Sequence, residues 1–325
     1  MATYERRRYL FMTTDPVHVG TGGYRLGRVD NSIVREPGTR VPKIPGTSLH
    51  GAARSYAAQL YENPAAAGQD HREVNNPDQD PVCYTFGYLK KAPGQEDKTV
   101  AFSGVVNVFD AHVLLFPVHS MAGPVWVSTV DRLQEAGFTI DGVPNTWDNG
   151  AVLLTWEHKD ALNLGWLMLT VRGEVSVTAP NKWKDEPRWK AMQERLVLVQ
   201  EALFSQVVNS NLEVRTSVAI DPKRGAAEYK ALFTYEAIPR TTFLVAEVVL
   251  DDYRDGAGGR PFPKDKTLKD NVLPGGPWKE PLDVAGAGLR MIEWLGVGGM
   301  GTRGFGRMAI VGNPLEQKYG EVVWQ

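Results

Sequence analysis

Two stretches of this chain carry a sustained helical repeat of apolar residues, and most of what lies between them reads as short strands and polar connections. In the first, Leu49, Ala52, Ala53, Tyr56, Ala57 and Leu60 fall on one face, with Thr47 or Ser48 as cap and Asn63-Pro64 as terminator. In the second, Leu289, Met291, Ile292 and Leu295 give residues 284–295 an apolar face. Strand patterns occupy 7–13, 15–19, 100–119, 125–130, 167–177, 243–250 and 307–311, with one further helix over 201–208. Residues 215–236 read as a two-stranded hairpin whose turn uses Asp221-Pro222 and Gly225. The regular β-α alternation of a doubly wound sheet is missing. The expectation is a single α+β domain over residues 1–325: an antiparallel sheet, helices on one face, and polar insertions at about 62–81 and 251–284.

Composition narrows the class. With 42% hydrophobic and 23% charged residues the chain can bury a sizeable core. No run approaches the ~18 apolar residues of a membrane span, so no membrane partner is expected. The apolar run after Arg8 stops at Thr13, too short for a secretory leader, which points to the cytoplasm. A single cysteine, Cys83, excludes an internal disulfide and a cysteine-rich zinc site. The net charge of −2 argues against a free-standing, non-specific nucleic-acid binder. Charge is nevertheless segregated: Arg25, Arg28, Arg35, Arg40, Lys43 and Arg54 are opposed between Gly20 and Arg54 only by Asp30 and Glu36.

Several segments have the chemistry of a site. Gly296-Val297-Gly298-Gly299-Met300-Gly301 matches a dinucleotide fingerprint by letter, but it follows a helix, whereas a true fingerprint follows a strand and opens one. The same glycines, with Thr302, Arg303 and Arg307, suit close approach of a phosphate chain; the alternative is plain turn chemistry. The first turn of the helix at Ser48 offers unpaired amides to an anion, with His50 and Arg54 nearby, or is simply a capped helix. Asp30 lies in a loop rich in glycine and arginine. It is either a turn former or a carboxylate, kept ionised by arginines, that ligates a metal or activates a hydroxyl. RNA brings its own nucleophile, the 2′-hydroxyl, so one carboxylate can suffice. His18 is equally core or site, while His112 and His119 read as structural. The Lys182-Trp183-Lys184 and Arg188-Trp189-Lys190 pair reads as a solvated amphipathic segment, base stacking being the alternative. Neither a His-Glu-x-x-His helix nor a Gly-x-Ser-x-Gly elbow is present.

Taken together, Pro16-Val17-His18-Val19-Gly20, Gly27-Arg28-Val29-Asp30-Asn31, Arg35-Glu36, the run Pro42 to Arg54 and the terminal Gly296 to Gly306 resemble the repeat-associated mysterious protein (RAMP) superfamily. Asp110 with Leu115-Phe116-Pro117-Val118, Trp126-Val127-Ser128, and Leu232-Phe233-Thr234-Tyr235-Glu236 with Pro239 and Thr242 resemble the backbone subunits of type III-B (Cmr) CRISPR effector complexes. The resemblance implies a ferredoxin-like (RRM-like) palm with a β-hairpin thumb within 215–236. It implies copies stacked in a helical filament on crRNA, among other type III CRISPR subunits, each unseating a base pair of the target RNA. Target cleavage is implied at Asp30, with a divalent metal (Mg or Mn) there and His18 as helper. Thr47, Ser48, His50, Arg54, Gly298, Gly299, Thr302 and Arg303 would hold guide phosphates. His50 stands where the family usually has lysine, and Ser32 where proline is common, so the grip at residue 50 should be weaker or pH-dependent. The rivals are a non-catalytic crRNA scaffold, the equivalent type III-A (Csm) backbone nuclease, and a metabolic enzyme binding a mononucleotide in the glycine loop.

Overall fold

The structure, a computed structural model, describes residues 4–22, 29–68, 74–92, 95–254, 262–263 and 278–320. Strand β1 (Tyr4–Thr13) is followed by the short β2 (Lys43–Ile44) and by helix α1 (Gly46–Leu60). Helix α2 (Pro81–Phe86) leads into a hairpin of β3 (Gly87–Ala92) and β4 (Gln95–Ser103), then β5 (Val106–Val108), β6 (Ala111–Ser120) and β7 (Gly123–Ser128). Next come α3 (Val130–Glu135), β8 (Thr139–Asp141), β9 (Ala151–Leu154), β10 (Leu162–Leu164), β11 (Leu167–Glu174) and β12 (Ser176–Thr178). After α4 (Pro187–Lys190) and β13 (Leu196–Leu198), helix α5 (Glu201–Ser210) precedes the long hairpin of β14 (Glu213–Asp221) and β15 (Ala226–Ala237). Then follow β16 (Phe243–Asp251), α6 (Pro281–Arg290), α7 (Ile292–Leu295), β17 (Met308–Ile310) and β18 (Leu315–Lys318).

Strands β10-β11-β9-β13-β7-β6-β16-β1-β17 form one continuous sheet, with β2, β5 and β18 attached at its flanks. The sheet is mixed, not antiparallel as expected: β11 runs parallel to β9, and β13 parallel to β7. Helices are not confined to one face either. On β1, Tyr9 and Phe11 enter the core beneath α1 and α6, while Leu10 and Met12 enter a second core with Leu133 and Ala136 from α3 and its end. A strand buried on both sides must be apolar at every position, which accounts for the unbroken run Tyr9-Leu10-Phe11-Met12. The second core also takes Trp183 and Trp189, 0% and 1% exposed and packed against Phe138. That segment is amphipathic, as expected, and not a stacking platform. Its charged letters lie outward while both indoles are consumed in packing.

The expected insertions differ too. Residues 64–67 and 77–79 form short 3-10 turns whose Ala66, Pro77 and Asp78 are buried, and Asp80, also buried, caps α2 through the amides of Val82 and Cys83. Of the 251–284 stretch, Asp252, Phe262 and Trp278 are buried and α6 already begins at Pro281; residues 255–261 and 264–277 lie outside the described residues, as do 69–73.

Helix α1 starts at Gly46, ahead of both expected caps, Thr47 and Ser48. Pro45 precedes the first turn, no side chain caps it, and the Gly46 amide donates instead to Asp110 Oδ1 at 2.7 Å. A Cβ on Gly46 would meet the Val108 carbonyl at 2.3 Å, so the start is set by contact with β5 and not by Thr47 or Ser48. The helix crosses α6 equally closely: a Cβ on Gly288 would lie 2.1 Å from the Ala53 carbonyl oxygen. Backbone cannot yield there. Gly288→Ala is therefore expected to cost about 1–3 kcal/mol by overpacking, read as a lowered midpoint of thermal unfolding.

Candidate active site and nucleic-acid interface

Two segments lie along the foot of the β14–β15 hairpin. Val17 pairs with Ile238 through both backbone bonds, at 2.8 and 2.9 Å. Asn31 donates to Thr234 O and accepts from Glu236 N, each at 3.0 Å. Val34 N reaches Val19 O at 2.9 Å, so the two segments also hold each other. Three successive residues of β15 then position the candidate groups. The Thr234 amide and hydroxyl both donate to Asp30 Oδ2 at 2.8 Å, and the Asp30 amide donates to Thr234 Oγ1 at 2.9 Å. The Tyr235 ring meets His18 edge-on, 5.7 Å between centroids. The Glu236 carbonyl lies 2.6 Å from His18 Nδ1. A carbonyl can only accept, so Nδ1 carries the proton and Nε2 is the lone-pair nitrogen of the neutral ring.

The Glu236 side chain, 8% exposed as a residue, closes the arrangement from beneath. Its Oε1 takes Arg35 Nη2 at 2.6 Å and its Oε2 takes the Ile33 amide at 3.3 Å. The hydrogen bond from the Thr234 amide, followed by that from its hydroxyl, holds the Asp30 carboxyl below the ordinary aspartate range. Among the described residues the ionising influence is Thr234; Arg25 and Arg28 lie outside them.

The glycine-rich loop packs against the His18 segment. Gly299 N donates to His18 O at 2.9 Å and Gly306 N to Pro16 O at 2.8 Å. Gly298 has φ +85°, and a Cβ there would meet His18 O at 2.4 Å; Gly306 has φ +100° and the Val297 carbonyl at 2.6 Å. Only glycine meets both demands. Beyond these anchors Gly298, Gly299, Thr302 and Arg303 are exposed. A cleft of about 360 Å³ separates the loop from α1, lined by Ser48, Ser55, Tyr56, Gly296, Gly298 and Gly301, and Tyr56 Oη donates across it to Gly296 O at 2.6 Å. Arg303 Nη1 reaches Ser217 Oγ on β14 at 3.3 Å, and Arg215 covers the Phe305 ring at 4.8 Å. The glycine loop and α1 thus wall one cleft, the hairpin touches the loop through Ser217 and Arg215, and Asp30 is held at the hairpin foot.

A family model described as RAMPs, the RAMP superfamily, matches residues 10–309. The chain belongs to the RAMP superfamily. It is 26% identical over 255 residues to the CRISPR system Cmr endoribonuclease Cmr4 of Pyrococcus furiosus, spanning 73% of this chain and 79% of that one. It is also 32% identical over 84 residues to the CRISPR system Cms endoribonuclease Csm3 of Enterococcus italicus, 25% of this chain and 37% of that one. The fold is shared with oligomeric Cmr4 from Pyrococcus furiosus in its crystal structure, with a TM-score of 0.53 at 18% identity over 99% of this chain and 100% of that one. A chain of the apo type III-B Cmr-beta complex gives 0.57 at 15% identity, with 98% of each covered.

Other expected site residues of this RAMP chain are directed away from the groove. His50 and Arg54 lie on the flank of α1 opposite Ser48 and Ser55. The His50 ring stands edge-on to Phe86 at 5.1 Å, and Arg54 Nε donates to Ala66 O at 2.9 Å. The α1 N-terminus already has its anion: Asp110 takes the Gly46 amide and, at 2.6 Å, Lys43 Nζ, while the Ser48 and Leu49 amides turn to Pro45 O. Burial raises the Asp110 carboxyl, but Lys43 and the Gly46 amide outweigh it and hold it below its ordinary value. Two members of the basic cluster read from the sequence are spent internally, on Glu236 by Arg35 and on Glu36 and Asp110 by Lys43. Arg307 pairs with Asp15, leaving Arg303 as the loop's outward guanidinium. His112, read as remote from carboxylates, sits 3.2 Å from Glu36. Among the described residues no three His, Cys, Asp or Glu side chains converge on a metal position. The donor set suits only an ion held mainly by substrate oxygens and water, with Asp30 as the carboxylate ligand.

Burial, and after it the charge of Arg54, lowers the His50 pKa below its ordinary 6.5. The unfolded chain therefore takes up the proton first, and His50 contributes stability that falls as pH drops from about 6.5 toward the folded midpoint. An NMR titration of the His50 ring should place that midpoint below 6.5.

Proposed function

We propose that this chain is the repeating backbone subunit of a type III-B CRISPR effector complex, holding crRNA and cleaving the paired target RNA as an endoribonuclease. The observation that carries the reading is the position of Asp30: an ionised carboxylate at the foot of a projecting hairpin, beside a groove walled by a glycine-rich loop with an outward Arg303. A match over 255 residues is to a Cmr endoribonuclease, and solved relatives include an oligomeric Cmr4 and a Cmr-beta bound to cognate target RNA. In this reading the sheet with α1 and α6 is a ferredoxin-like palm and β14–β15 its thumb. Thr47, Ser48, Gly298, Gly299, Thr302 and Arg303 follow the guide backbone, while His50 and Arg54 support α1 from behind. Other copies of the chain continue the groove, alongside further subunits of the complex.

Chemically, a strand bent by the hairpin brings its 2′-hydroxyl in line with the adjacent phosphate. Asp30 takes the hydroxyl proton as the 2′-oxygen bonds to phosphorus. The bond to the 5′-oxygen breaks, and that oxygen is protonated from water. The products are a 2′,3′-cyclic phosphate and a 5′-hydroxyl. A divalent ion of the magnesium or manganese class, with Asp30 as its carboxylate ligand, would supply charge stabilisation at the phosphoryl oxygens. His18, held on Glu236 and Tyr235, orients the strand through Nε2.

Asp30→Asn in the reconstituted complex is expected to lower target cleavage by about a hundredfold or more while guide RNA is retained in full. Unchanged cleavage would remove Asp30 from the chemistry. Arg303→Ala should weaken RNA retention and make it less steeply dependent on salt, by roughly one phosphate contact per copy, measured by RNA retention across a salt series.

A further inference from the structure

Among the described residues, Asp30 has one carboxylate oxygen committed and one without a hydrogen bond. Both donors of Thr234, its amide and its hydroxyl, converge on Oδ2, and the same hydroxyl oxygen accepts from the Asp30 amide. No hydrogen bond to Oδ1 accompanies them among the described residues. A carboxylate held this way cannot rotate about its last bond without losing two donors at once, so its two oxygens are chemically distinct. Thr234 lies in β15, opposite Thr216 of β14, so the group that orients the carboxylate belongs to the hairpin.

Resting on the cleavage reading above, we infer that Thr234 is a positioning residue for Asp30: it ties Oδ2 to the hairpin, presents Oδ1 to the target strand, and makes cleavage conditional on the hairpin being seated. Displacement of the β15 foot removes the donors that align and ionise Asp30. The carboxylate is then left turning freely on its loop. Alignment for in-line attack is the larger part of what a protein can give to a reaction whose nucleophile is the substrate's own hydroxyl. The depressed pKa of Asp30, caused first by the Thr234 amide and then by its hydroxyl, agrees with this geometry.

The test uses the complex reconstituted with wild-type chain, Thr234→Val, Thr234→Ser or Asp30→Asn, with single-turnover cleavage of a complementary RNA measured for each. Valine keeps the shape of threonine and loses the hydroxyl; serine keeps the hydroxyl. Thr234→Val is expected to slow cleavage roughly tenfold or more, as loss of a hydrogen bond to a charged group does. Thr234→Ser should restore the rate, and all variants should retain guide RNA. A Thr234→Val complex with wild-type rate, while Asp30→Asn is inactive, would overturn the inference and leave the nuclease reading standing. A slow Thr234→Val which serine does not rescue would equally overturn it, as a merely structural defect. Full activity of Asp30→Asn would overturn both.

Discussion

The Glu236 carboxylate is enclosed where three chain segments meet, and the site exists because that charge is answered. Arg35 and the Ile33 amide satisfy its oxygens, and the backbone of the same residue binds Asn31 and His18. A largely buried carboxylate with one partner removed is among the more costly defects a protein can carry, about 3–5 kcal/mol. The pair therefore does more than add stability. It admits one arrangement of the 15–20 and 29–36 segments against β15, and Asp30 and His18 inherit their places from it. The glycine-rich loop is then seated on the His18 carbonyl through Gly299, so the groove wall depends on the same anchor.

Much of the architecture was legible because it follows local pattern. Helices α1 and α5, the β14–β15 hairpin with its Asp221 turn, and strands β7 and β16 stand where apolar spacing and turn residues put them. What escaped is set by tertiary contact. Parallel pairing of β13 with β7 leaves no local signature in a three-residue strand. The start of α1 depends on a carboxylate sixty-four positions away, at Asp110. The β3–β4 hairpin went unread because its sequence is rich in polar residues and it forms a two-stranded sheet of its own, with Tyr88 stacked on Phe102 at 4.8 Å.

The site was legible in its segments and less so in its wiring. Gly298 lines a cleft with Ser48, while Gly299, Thr302 and Arg303 are exposed on the same loop, and Asp30 and His18 are held by the hairpin foot. His50 and Arg54 looked equivalent to Ser48 by proximity in sequence, but a helix turns 100° per residue and carries them to its other flank. Counting arginines likewise overstated the free positive charge, since burial beside Glu236 and Asp110 had already claimed Arg35 and Lys43. Thr234 and Glu236 went unassigned because they stand in a strand beside Phe233 and Tyr235 and look like ordinary alternation; a buried glutamate in such a strand is the signal that something must answer it.

Asp30 and its donor are 204 positions apart in the chain. Translation delivers the aspartate long before the threonine, so a growing polypeptide carries the carboxylate with nothing to aim it. Only when β15 has been made and has docked does the pair form, so the orientation of Asp30 is a product of long-range docking and not of its own loop.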